Sequence, residues 1–105
     1  MSEKQIKLDR FPVHIDMFGH TLAVLCADGS LIVADCLDHQ NARKVENFVE
    51  VDRVIMLRAF KTDLTSDKIT ICLVKQLESE HELSLYKLSP KDHSFEIQPF
   101  NTLTR

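Results

Sequence analysis

TLAVLCADGSLIVADC, Thr21 to Cys36, holds two short apolar runs on either side of Asp28-Gly29-Ser30. Asp-Gly between apolar runs is a strong short-range hairpin signal, so the stretch predicts two paired strands with their turn at Asp28-Gly29. In the first run Leu22, Val24 and Cys26 share one face and Ala23, Leu25 and Ala27 the other. In the second, Leu31 and Val33 oppose Ile32, Ala34 and Cys36. Side chains alternate across a strand, so this hairpin is apolar on both faces. A hairpin on a half-solvated sheet is apolar on one face only. Cover on both sides is therefore expected.

Outward from this hairpin the same character recurs. Residues 54–60, VIMLRAF, are apolar on both faces except at Arg58, and 69–74, ITICLV, repeat the pattern. Leu83–Leu88, LSLYKL, alternates Leu83 and Leu85 against Tyr86 and Leu88. Phe95 and Ile97 suggest a last strand at a sheet edge. Before the hairpin, Val13, Ile15 and Met17 alternate with His14, Asp16 and Phe18. Pro12 lacks a backbone donor and marks an edge or a break from the weaker pattern at Ile6 and Leu8. Residues 37–44 are polar and suggest a loop. Residues 38–51 admit two readings, a helix capped at Asp38 or a strand near 45–51. The β-branched Val45, Val49 and Val51 favour the strand. KTDLTSD (61–67), the acidic QLESEHE (76–82) and Ser89–His93 read as turns, residues 1–5 as a polar end and 101–105 as a tail.

The pattern repeats once. TLAVLCA, Asp28-Gly29 and SLIVADCLD correspond to KITICLV, a longer loop ending in His81-Glu82, and LSLYKLSP. With one run before and one after each pair, the chain divides into two four-strand units, about 13–51 and 54–99, within a single all-β domain over 6–100. Repeated four-strand units are the pattern of propeller blades. Asp28 to Asp35, DGSLIVAD, resembles the third strand of a WD-repeat blade, which runs from Asp-Gly through alternating apolar residues to Trp-Asp. Ala34 stands where that family has Trp, and Asp35 keeps the acid. In the second unit Tyr86-Lys87 keeps the aromatic and loses the acid. Gly19-His20 lies too close to Thr21 to match the family's Gly-His pair. The resemblance implies an all-β fold of two four-stranded antiparallel propeller-like blades. The alternative is a compact β-sandwich or small barrel. A propeller needs typically four to eight blades, so two would be completed by a partner or by self-association.

The chain has 105 residues, 28% of them charged, and a net charge of −3. That charge gives no field for nucleic acid or an anionic membrane. Phe11, Phe18, Phe60, Phe95 and Phe100 do not interleave with the scattered Arg43, Lys44, Arg53, Arg58 and Lys61 as a base-stacking platform would. Cys26, Cys36 and Cys72 are an odd set inside or beside apolar runs. They suggest reduced, buried thiols in an intracellular protein, cytoplasmic or nuclear. No Cys-x-x-Cys zinc spacing, phosphate loop, dinucleotide fingerprint or nucleophile elbow occurs. His14 and Asp16 share a strand face, and a solvated polar face is the expected reading. His20 lies near that pair, which as a metal or acid–base site is the lesser reading, and His39, His81 and His93 fall in loops without partners at ligand spacing. No catalytic, cofactor or metal site is expected, and no enzyme. The expectation is a protein–protein interaction module without nucleic-acid or membrane contacts. Its partner surface would use Ile32 and Val33 on opposite strand faces, Glu78, Glu80 and Glu82 of the acidic loop, and Tyr86. A self-contained barrel binding a small apolar ligand is the alternative function.

Overall fold

A computed structural model describes the backbone of residues 11–63 and 65–104, and their side chains apart from 38–41 and 100–104. All regular structure there is β. The strands are β1 (Pro12–Phe18), β2 (Thr21–Cys26), β3 (Leu31–Asp35), β4 (Asp38–Val45), β5 (Val54–Phe60), β6 (Ile69–Gln76), β7 (His81–Lys91) and β8 (Ser94–Thr104). They form two four-stranded antiparallel meanders, β1-β2-β3-β4 and β5-β6-β7-β8. The sheets lie so that β1 runs beside β5 and β4 beside β8. They do not close into a barrel.

The hairpin forms where Asp28-Gly29 predicts it. Gly29 N–H donates to the Cys26 carbonyl (2.9 Å), and Cys26 N–H to the Ser30 carbonyl (2.9 Å). Gly29 has φ +87°, the positive value that a three-residue hairpin loop with a bulge requires at this position. Asp28 Oδ1 accepts from Ser30 N–H (3.0 Å) and from Ser30 Oγ (2.5 Å), fastening the turn.

The main core lies between the sheets. Ala23, Leu25, Leu31, Val33 and Val45 from the first sheet meet Leu57, Ala59, Ile69, Ile71, Leu73, Leu88 and Phe95 from the second. Burying each leucine or isoleucine is worth about 1.5–3 kcal/mol. Val24, Cys26 and Ile32 form a second buried cluster on the far face of the first sheet, with Leu22 packed against it. The double burial read from the hairpin is therefore present in β2 and β3. It fails in β5, where Val54, Leu57 and Ala59 are buried but Met56, Arg58 and Phe60 are exposed.

Three boundaries differ from the sequence reading. The fourth strand of the first unit is not 45–51 but β4 at Asp38–Val45, inside the stretch read as a loop. It pairs only with β3, as an edge strand must, so a polar composition does not bar it. Phe48, Val49 and Val51 follow it outside any strand and pack against the end of the core. Ser89–Lys91 belong to β7, whose turn is confined to Asp92-His93. Pro90 is tolerated because β6 stops at Ile69, opposite Leu88, so no neighbour on that side needs its missing N–H. Residues 101–104 are strand rather than tail, since β7 supplies partners as far as Glu82 opposite Thr104. The expected strand pattern at Ile6 and Leu8 lies outside the described residues.

Candidate interaction surface

Register decides which side chains face outward. On β1, Ile15 stands opposite Val24 and Met17 opposite Leu22, which places both on the far face of the first sheet. They are 57% and 56% exposed. On β5, Met56 stands opposite Val74, Arg58 opposite Cys72 and Phe60 opposite Thr70. These lie on the far face of the second sheet, where β7 adds Leu83 and Leu85 opposite Val74 and Cys72. Met56 and Phe60 are 41% and 38% exposed. Each sheet thus buries one apolar face against the other, and on the opposite faces Ile15 and Met17 of the first sheet and Met56 and Phe60 of the second stay exposed, beside the buried Val24, Cys26 and Ile32 on the first.

The anticipated partner residues are not brought together. Ile32 is buried in the far-face cluster of the first sheet, and Val33 in the core between the sheets. Glu78 and Glu80 are exposed in the β6–β7 turn, where Leu77 N–H donates to the Glu80 carbonyl (2.8 Å). Glu82 is half-buried at the start of β7 and accepts from Ser84 Oγ (3.3 Å). Tyr86 turns inward and meets Phe48 edge to face, 5.0 Å between centroids.

His14 and Asp16 do not form the solvated face expected of them. Both reach from β1 to the open edge of β5. His14 Nε2 donates to the Val54 carbonyl at 2.8 Å, which fixes the proton on that nitrogen. Asp16 Oδ2 accepts from Ala59 N–H at 2.7 Å. These bonds satisfy backbone groups of an edge strand and tie the sheets together. The i, i+2 spacing puts the two side chains on one face, but nothing in it names the strand they meet.

The chemistry of the site is that of packing. Among the described residues no group of three or more His, Cys, Asp and Glu side chains could hold a metal. No disulfide joins the three cysteines. Cys26 is buried as expected, while Cys36 and Cys72 are only half-buried, because each sits on the outward side of its sheet or just past a strand end. Desolvation raises the Cys72 thiol above its ordinary range, partly offset by Arg58. Asp63 is held below the usual carboxylate range by hydrogen bonds from Thr65 Oγ1 and N–H, 2.7 and 3.0 Å. Among the described residues no helix is long and apolar enough to cross a membrane. Comparison with protein-family models, curated proteins and solved structures gives no significant match.

Proposed function

We propose that the chain is a non-catalytic protein–protein interaction module, two WD-repeat-like propeller blades serving as an intracellular scaffold subunit. Its ring is completed by a β-rich partner or by further copies. The observation that carries this reading is the exposed apolar pair on the far side of each sheet, Ile15 and Met17 on the first and Met56 and Phe60 on the second. Stacked sheet units bury such faces against neighbours and cannot do so alone. Apolar surface gathered on one face marks an association site, whereas isolated exposed leucines do not.

The test is site-specific photo-crosslinking in cells, with a photoreactive side chain at Ile15, at Phe60, and at Asp63 as a control in an exposed turn. The reading expects discrete protein adducts from the first two positions and none from the third, and light scattering of the purified chain identifies self-adducts. A strictly monomeric chain with no adduct from Ile15 or Phe60 would refute it.

A further inference from the structure

Between the sheets, at the end where β4 runs beside β8, lies a crevice of about 310 Å³. Arg43 stands opposite Val33 on β4, and Val33 faces the inter-sheet core, so the Arg43 side chain enters from the first sheet. Its guanidinium carbon lies 5.8 Å from the centroid of the Phe95 ring on β8. At that distance the ring face attracts the guanidinium charge. Its Nε is buried and has no hydrogen-bond partner among the described residues. A buried donor without an acceptor is disfavoured, and a native structure that keeps one calls for an explanation. Lys61 lines the same crevice and supplies a second cation, while Val33, Ile69 and Pro90 make its apolar wall.

The geometry points to a binding site for a carboxylate group. A planar carboxylate accepts two parallel N–H bonds from a guanidinium edge, one of them from Nε. Two of the protein's own carboxylates line the crevice, Asp35 and Asp67, and neither takes that donor. Asp35 Oδ1 instead accepts from Leu37 N–H at 2.8 Å. Their negative charges limit what can enter. Arg43 and Lys61 are already matched by the two aspartates, so every anion meets some repulsion, and a singly charged carboxylate meets less of it than a phosphate dianion. The volume is at the lower end for small-ligand pockets. It suits an Asp or Glu side chain or a small free acid. The inference holds whether or not the outward faces bind a partner, and its test leaves those faces untouched.

The test uses the full chain labelled with ¹⁵N-arginine. The Arg43 Nε–Hε resonance is identified as the one that Arg43→Lys removes. Titration with N-acetylglutamate methylamide is expected to shift it saturably, and the isosteric glutamine derivative to leave it in place. Calorimetry should show binding weakened about tenfold in Arg43→Lys, which keeps the charge and loses the fork. Acetate separates the sources: equal affinity marks a free-acid site, and weaker affinity marks a peptide side chain. Should Arg43→Lys not fold, Lys61→Gln leaves the reporter in place and is expected to weaken binding about threefold. The absence of a saturable shift with either carboxylate would overturn the proposal. So would equal binding of the glutamine derivative, or tighter binding of inorganic phosphate.

Discussion

Gly29 meets two separate constraints, and only one shows in the sequence. Its positive φ follows from the Asp-Gly dipeptide. The second comes from Val49, whose carbonyl oxygen a Cβ on Gly29 would strike. The Gly29 carbonyl in turn accepts from Phe48 N–H (2.8 Å) and Val49 N–H (3.2 Å), so the turn anchors the loop after β4. Gly19 is the internal control, with φ +55° and nothing within 4 Å of where a Cβ would stand. Gly19→Ala should therefore cost about 1 kcal/mol for the left-handed conformation alone. Gly29→Ala should cost at least about 2 kcal/mol, and Gly29→Val more, because the opposing atom is backbone and cannot rotate away. Thermal unfolding of the three variants checks the order; equal losses at Gly19 and Gly29 would show that the Val49 contact is unimportant. The thiols give a second measurement at this scale. Cys26 should label only on opening, Cys36 first, and Cys72 slowly, with its rate rising only as alkali forms the thiolate. The sign for stability follows from the same shift. A thiol raised in the folded state favours folding below its unfolded value and loses that contribution as pH rises through the folded value, so Cys72 weakens the fold only on the alkaline side.

Elements were legible where their own residues carried the signal. β2, β3, β6 and β7 follow from apolar runs and turn residues within them. β4 did not, because its strand character comes from pairing with β3 at an edge, and a polar edge strand looks like a loop when its partner is unknown. The same blindness hid the crevice, since Arg43 could not be placed opposite Val33 without β4. The β1–β5 seam was half legible. Alternation put His14 and Asp16 on one face, but only the second sheet shows that the face meets an open strand edge. Asp16 is expected to matter more to stability than an exposed acid would. Asp16→Ala leaves the N–H of Ala59, itself buried, without its acceptor, a loss of about 1–3 kcal/mol. Asp16→Asn retains an acceptor oxygen and should recover most of it. Denaturant midpoints at constant slope distinguish the two, and a harmless Asp16→Ala would show that water replaces the carboxylate at this seam.

At the scale of the whole molecule, the question is which apolar residues hold the fold and which reach beyond it. Ile32 and Val33 point to opposite faces of β3, yet both are buried. Aspartate at either position places a charge in an apolar cluster, so both variants should fail to fold, with or without a partner. The informative pair is Ile15 and Phe60, which sit on the two outward faces and are exposed in the isolated chain. Ile15→Asp and Phe60→Asp should each change monomer stability by no more than about 0.5 kcal/mol, as ordinary surface substitutions do. Their effect on association depends on how the faces meet. The two faces differ in residues, so copies joined through unlike faces would form a head-to-tail assembly. In that case either substitution blocks one of the two contacts and leaves the other face competent. A mixture of the two single variants then pairs through the unaltered faces and stops at a dimer, while each variant alone stays monomeric. If the faces instead bind a different β-rich protein, each single variant loses one crosslinked adduct and keeps the other. Sedimentation velocity on the two variants, separately and mixed, reads the first outcome, and crosslinking from the unaltered face reads the second. Association undiminished in the Ile15→Asp/Phe60→Asp double variant would show that neither outward face is the contact.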